Sequence, residues 1–392
     1  MTSFKPRETF LPFCLPDVSE AEIDGVAEAI RSGWWAKGPR TIEFEKRFAA
    51  YVGAKHAIAV NSCTAALHLA LLTAGVGPGD EVITTPLTFA SSASTIVHTG
   101  ATPVFADIDE DTGCIDPEQV ERRVTPRTKA IVPVHYSGAA CDLDAIHAIA
   151  KAHGLFLSED AAHAVETCYH GEPIGHHPMG AVSYSFYSTK NLATGEGGML
   201  VTDDDEVAAR AGVFSCHGMS RNSWNRYGKG GSYRYDITEF GYKYNMFDLQ
   251  AALGLVQLAR IKEMQAARMQ AVRIYEEAFS GMEELRLQRP LPDSVHSRHL
   301  YVLRIRPETL TIDRDRFIEE LSARNVGTSV HFIPVHLMSA YRERFGYKPG
   351  AYPKAERFFE TEISLPMYSR LSQEDAVYVV DAVKDIVGKY KR

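Results

Sequence analysis

The sequence lacks most of the features that mark a chain for a membrane, a metal or a nucleic acid. No apolar run approaches the ~18 residues of a membrane span, and the opening MTSFKPRETFLPFCLP has no stretch resembling a secretory signal. Six cysteines (Cys14, Cys63, Cys114, Cys141, Cys168, Cys216) are scattered without a C-x-x-C pair. That argues against a zinc site, an iron–sulfur cluster or a disulfide framework, so no metal is expected. Positive charge is also short: 42 Lys plus Arg face 50 Asp plus Glu, a net charge of −8. A chain built to neutralise a phosphate backbone is normally basic, so nucleic acid is not an expected partner. Repeats, low-complexity linkers and long charge runs are absent. What remains is ordinary globular composition, 45% hydrophobic and 23% charged. At 392 residues the chain suits two domains rather than one. A soluble cytoplasmic protein is expected.

From about residue 55 to 202, short apolar runs alternate with helical patterns. The runs are His56–Val60, Glu81–Thr85, Thr102–Ile108, Lys129–Val134, Leu155–Asp160, Val182–Phe186 and Gly198–Thr202. Each is continuous in polarity, which suits strands covered on both faces. Between them, Cys63–Ala74, Phe89–His98 and Leu143–His153 carry apolar residues at helical spacing. Repeated βα units predict an α/β fold with a mostly parallel seven-stranded sheet, binding ligands beyond the carboxyl ends of its strands. The last two runs have no helix between them, so one strand there is expected to lie antiparallel. Asp248 offers a cap for a long helix ending before Gly281. A smaller α/β unit follows: a strand at His299–Ile305, a helix from Asp313 to Arg324 and a second strand at Gly327–Ile333. Its last helix opens at Ser372 and buries Val379, Val380, Val383 and Ile386. The expected division is an N-terminal segment (1–30) packing with the small domain, a large domain (31–255) and a small C-terminal domain (256–392).

Three loops at consecutive strand ends carry candidate chemistry. Asn61-Ser62-Cys63-Thr64 follows the first run and opens the first helix. A helix start presents unpaired N–H groups to an anion, and Ser62 and Thr64 add hydroxyls, although either also serves as a plain N-cap. Asp160 ends its strand facing the ligand crevice, where it could hold a proton on a ring nitrogen or cap a helix. Lys190 lies in Ser185-Phe186-Tyr187-Ser188-Thr189-Lys190-Asn191, ahead of the turn Gly195-Glu196-Gly197-Gly198. A lysine is usually a solvated surface charge. Among small residues and a Gly-rich turn, this one could instead condense with an aldehyde, provided burial keeps its amine partly neutral. A phosphate cradle, an acid for a pyridinium and an amine for an aldehyde together fit one cofactor, pyridoxal 5′-phosphate (PLP). Phe89, which opens a helix, offers a flat face for its ring or an ordinary core side chain.

In combination these motifs resemble the DegT/DnrJ/EryC1/StrS aminotransferases. Those are enzymes of PLP fold type I (aspartate aminotransferase-like) that mostly aminate keto groups of nucleotide-linked sugars. The likeness runs from SGWWAKGP (Ser32–Pro39) through NSCTAALHLAL, TFASSAS, EDAAHA and SFYSTKNL to GYKYNM (Gly241–Met246) and VHFIPVHL. It implies that Lys190 carries the cofactor and the proton, and that Asp160 pairs with the pyridinium nitrogen. It places His163 beside the ring oxygen and Phe89 on the ring. Ser62, the amides of Cys63 and Thr64, and Ser185 would hold the phosphate. Residues such as Lys243 and Asn245 would reach the phosphate of a neighbouring subunit, which implies a homodimer with shared sites. Many members have Gly at the Cys63 position, and the commoner late motif has Asn and Arg where Lys243 and Asn245 stand. GYKYN looks like the branch acting on 4-keto sugar nucleotides. A related branch replaces the lysine with His and deoxygenates sugars, so Lys190 argues for transamination.

On the substrate side, Trp34, Trp35 and Lys37 suit stacking on a base or meeting a diphosphate, or simply loop packing, and His331 stands where the family faces the sugar, or is a hydrogen-bonded core histidine. The stretch Arg221–Tyr235, with Trp224, Arg226, Lys229 and Tyr233, could line the entrance or form a subunit contact. The expected activity is amino transfer from glutamate to a nucleotide-linked 4-keto-6-deoxy sugar, for surface polysaccharide or glycoside biosynthesis. The alternatives are a 3-keto sugar or cyclitol aminotransferase, a dehydratase on the same scaffold, or a non-catalytic sensor. Lys190 and Asp160 disfavour the sensor. A dinucleotide-binding dehydrogenase is a poor fit because the first strand lacks G-x-G-x-x-G.

Overall fold

The protein is described by a computed structural model covering residues 4–175, 180–219 and 234–392. Trp224, Arg226, Lys229 and Tyr233 of the basic and aromatic stretch lie outside the described residues. In chain order the strands are β1 (His56–Val60), β2 (Glu81–Thr84), β3 (Thr102–Phe105), β4 (Thr128–Val132), β5 (Phe156–Asp160), β6 (Cys168–Tyr169) and β7 (Glu172–Pro173). They continue as β8 (Gly180–Ser185), β9 (Gly198–Thr202), β10 (Leu285–Leu287), β11 (Ser294–Val295), β12 (Tyr301–Ile305) and β13 (Glu362–Leu365). Seven of them, all expected from the apolar runs, form one sheet in the order β1-β9-β8-β5-β4-β2-β3. Every pairing in it is parallel except the two made by β9, which is the expected antiparallel strand.

The helix Cys63–Thr73 buries nine of its eleven residues, so it is apolar nearly all round and held on every side. That fixes its N-terminus at the carboxyl edge of the sheet. The other expected helices form at Ala90–His98, with Phe89 in the N-cap position, and at Leu143–His153.

The long helix spans Asp248–Phe279, but Asp248 does not cap it; Phe247 holds that position. The Asp248 carboxylate instead accepts the backbone N–H groups of Gly38, Arg40 and Thr41 and the Thr41 hydroxyl. It therefore caps the helix Pro39–Val52, whose own N-cap, Gly38, has no side chain to offer.

Beyond the long helix, β10, β12 and β13 form a three-stranded antiparallel sheet. Its apolar face joins Phe317, Tyr275 and the expected Val379, Val380, Val383 and Ile386 in one core. The strand expected at Gly327–Ile333 is not there. That segment makes only an isolated bridge from Ser329 to Ser364, and β13 completes the sheet. The cause is local: the His331 N–H donates to the buried Glu362 carboxyl at 2.8 Å instead of entering a ladder, and the His331 and Phe332 side chains turn to a cavity. The N-terminal segment meets this unit through a Leu11–Val326 bridge and an Arg7–Asp375 ion pair of 2.7 Å.

Candidate active site

A cavity of about 480 Å³ opens at the carboxyl edge of the seven-stranded sheet. It gathers Ser62, Cys63 and Thr64 from the end of β1, Phe89 from beyond β2, and Asp160 and His163 from the end of β5. Ser185, the last residue of β8, and Lys190 beyond it line the same cavity. The small unit contributes His331, Phe332 and His299.

Ser62 is an N-cap in fact, accepting the Ala65 N–H at 3.1 Å. Its position at the helix start still leaves the Cys63 and Thr64 N–H groups without partners inside the helix, aimed where an anion would sit. The Cys63 side chain points away, into the sheet, with its thiol against the Ser183 carbonyl at 3.6 Å. Gly198 shows how closely the cradle is built: a Cβ there would lie 2.5 Å from the Ser62 carbonyl carbon and 2.6 Å from the Cys63 nitrogen. Only glycine lets β9 run beneath this loop.

Asp160 is 4% exposed. Its Oδ2 accepts the Ser92 hydroxyl at 2.7 Å and its Oδ1 the Ala162 N–H at 3.0 Å. Burial pushes its pKa up despite those donors, so the carboxylate is short of a cationic partner. His163 accepts the Ser137 N–H on Nδ1 at 3.1 Å, which leaves its proton on Nε2. Burial holds its pKa well below the usual range, so it is a neutral donor. Phe89 is 62% exposed even though it lies in a cavity, an uncovered apolar face.

Lys190 makes no ion pair among the described residues; its Nζ lies 3.5 Å from His299 Nε2. Burial lowers its pKa to about 8, as an amine that must react with an aldehyde requires. A flat exposed ring, an underpaired carboxylate, a partly neutral amine and an N–H cradle in one cavity fit PLP.

Other expected residues stand apart from this cavity within the single chain. Lys37 is paired with Glu45 at 2.6 Å. Trp35 is exposed, its indole N–H donating to the Ile30 carbonyl at 3.1 Å. Lys243 and Asn245 flank the end of β1, where the Lys243 carbonyl accepts from Asn61 and Asn245 bridges Val60. The Asn245 side-chain oxygen is buried with no hydrogen bond among the described residues. His299, which lines the cavity, and Ser92, which holds Asp160 from behind it, escaped the sequence reading. His299 reads as the first residue of a strand, and Ser92 as an ordinary helix residue one turn past Phe89.

Over residues 16–384 the sequence matches the DegT/DnrJ/EryC1/StrS aminotransferase family. The chain belongs to this family. It is 54% identical to the spore coat polysaccharide biosynthesis protein SpsC of Bacillus subtilis, with 97% of this chain and 98% of that one aligned. Among solved structures it superposes on the PLP form of Spr1654 from Streptococcus pneumoniae with a TM-score of 0.89 at 35% identity, covering 97% and 99% of the two chains. PseC of Helicobacter pylori, an aminotransferase involved in the biosynthesis of pseudoaminic acid, gives 0.89 at 29% identity over 97% and 100%. The protein is a PLP-dependent aminotransferase of fold type I.

Proposed function

We propose that this member of the DegT/DnrJ/EryC1/StrS family moves an amino group from glutamate to a nucleotide-linked 4-keto-6-deoxy sugar in the cytoplasm, for surface polysaccharide or glycoside biosynthesis. The observation that carries the reading is the Lys190 amine, half-buried without a carboxylate in contact and facing Asp160 across a cavity with an anion cradle. The kinship with SpsC and PseC supports a sugar as acceptor. No helix among the described residues is long and apolar enough to cross a membrane.

PLP supplies an aldehyde that takes up the amino group and a ring that draws electrons from the substrate carbon. The chain does the rest. Ser62, the Cys63 and Thr64 amides and Ser185 hold the phosphate, and Phe89 covers one face of the ring. Asp160 keeps the ring nitrogen protonated, and His163 gives its Nε2–H to the ring oxygen. Lys190 anchors the cofactor and, once freed, carries on Nζ the proton removed from the donor's α-carbon. A positioned base of this kind contributes about 10²–10⁴-fold. In a homodimer, Lys243 and Asn245 reach the cofactor phosphate of the neighbouring subunit. Trp35, Lys37 and His331 face the sugar nucleotide. The chain divides functionally into 1–30, 31–255 and 256–392, the large unit holding the cofactor and the small one closing over it.

The test is to incubate the protein with glutamate and a panel of keto sugar nucleotides and to follow 2-oxoglutarate. Turnover with a 4-keto-6-deoxy sugar is expected, together with its loss in Lys190→Ala, which stays folded but no longer shows the absorbance of lysine-bound cofactor. A fully active Lys190→Ala protein with an unchanged spectrum overturns the assignment.

A further inference from the structure

Behind His331, a chain of three side chains leads from the cavity into the core of the small unit. The imidazole Nδ1 lies 2.7 Å from the Ser364 hydroxyl, and that hydroxyl lies 2.5 Å from Glu362 Oε1. The other carboxyl oxygen, Oε2, accepts the backbone N–H of His331 at 2.8 Å. Tyr136 donates its hydroxyl to the His331 carbonyl, so the residue is held at Nδ1, at its N–H and at its carbonyl. Its Nε2 has no hydrogen bond among the described residues, and the side chain lines the cavity.

Proton order along such a chain is set by its innermost member. Glu362 and Ser364 are both 0% exposed, and Glu362 forms no ion pair within 4 Å among the described residues. Arg304, on β12, faces it, but gives its guanidinium to the Glu110 carbonyl and the Thr361 hydroxyl. Arg314, from the helix Arg314–Ala323, donates to the backbone carbonyls of Phe359 and Glu362. Tyr136 and His331 itself are the other titratable groups beside Glu362, while Lys190, His163 and His299 face the His331 ring from the cavity. A wholly buried carboxyl without an ion-pair partner holds its proton, and only Ser364 Oγ is placed to receive it from Oε1. Ser364 must then donate to His331 Nδ1, and the neutral imidazole carries its own proton on Nε2.

We infer that Glu362 and Ser364 are positioning residues whose hydrogen-bond order fixes the tautomer of His331, so that its Nε2–H is presented as a donor to an oxygen of the bound acceptor. Such a donor suits the keto or hydroxyl oxygen of a sugar, and the inference rests to that extent on the sugar-acceptor reading. Burial raises the Glu362 carboxyl to about 8 against the opposing pull of the Ser364 hydroxyl, the His331 N–H, Arg314 and Arg304, and lowers His331 to about 3. At neutral pH the carboxyl is therefore protonated and the ring uncharged. Above about pH 8 the carboxyl ionises, Ser364 turns to donate to it, and the His331 proton moves to Nδ1, leaving Nε2 an acceptor.

The experiment reads the tautomer directly, by long-range ¹H–¹⁵N correlation of histidine-labelled protein, with His331→Asn identifying the signal. In the wild type at pH 7 the protonated nitrogen should be Nε2, changing to Nδ1 on going to about pH 9.5. Glu362→Gln keeps a donor toward Ser364 and cannot ionise, so Nε2–H should persist at both pH values. Ser364→Ala should abolish the pH dependence and raise KM for the acceptor about tenfold, while the glutamate half-reaction, followed by cofactor absorbance, stays unchanged. An Nδ1–H signal in the wild type at pH 7, or a Glu362→Gln protein that still switches, overturns the inference. The NMR signature stands whether or not any sugar is turned over, so failure of the substrate reading remains separable from failure of the relay.

Discussion

Lys190 keeps its amine 3.5 Å from a buried imidazole, His299, that is itself held neutral. Asn191 sets the orientation of that ring: its amide N–H donates to the Ser297 carbonyl at 3.0 Å, which turns its oxygen toward His299 Nδ1. The lone pair of Nε2 is then left facing Lys190. An ammonium cannot attack an aldehyde, and the depressed pKa of about 8 means that the reactive fraction grows as pH rises through that value. The rate at which cofactor-free protein takes up PLP should climb roughly tenfold per unit below about pH 7 and level off above about pH 9. A flat profile would show that the lysine is solvated like any surface lysine. Asp160 was legible in the sequence because it closes a continuous apolar run at a strand end, and Lys190 because it follows the next run among small and hydroxyl residues ahead of a Gly-rich turn. His299 was not, because its approach to Lys190 spans 109 positions and depends on how the small sheet docks.

Elements place these groups through backbone approach as much as through side chains. With a Cβ at Gly198 the loop at Ser62 and Cys63 must shift, since the clash at 2.5 Å is with backbone. Gly198→Ala should cost most of the PLP affinity, read by absorbance titration. Gly212→Ala provides the control: it lies in the helix Asp205–Phe214 with nothing within 4 Å of a new Cβ. It should raise Tm slightly, in line with the ~0.5–1 kcal/mol that Ala gains over Gly in a helix. At this scale apolar continuity and caps carried most of the reading, and all seven strands of the main sheet stand where the runs predicted. It failed at Gly327–Ile333, whose run Val-His-Phe-Ile has strand character but spends its N–H and side chains on Glu362 and the cavity. It also failed for the role of Asp248, whose partners are far away in sequence.

At the scale of the molecule, the chain leaves a run of apolar surface between residues 234 and 247. Tyr235, Ile237, Tyr242 and Phe247 are exposed, and Phe240 is 96% exposed. The run leads into Lys243 and Asn245, the residues proposed to serve a second active site. Apolar surface of this kind beside polar contacts marks a protein interface. Sedimentation should show a dimer, and Phe240→Asp should yield monomers that bind PLP weakly; a monomeric wild type that is fully active contradicts shared sites. One feature of the sheet bears on how such a molecule comes into being. β9 is seated between β1 and β8 and is the one strand of that sheet that runs opposite to the other six. Gly198 can slide under the Ser62 loop only after that late strand is inserted. A nascent polypeptide therefore cannot capture its coenzyme from the first strands alone, and the return of colour during renaturation reports that the last seam of the sheet has closed.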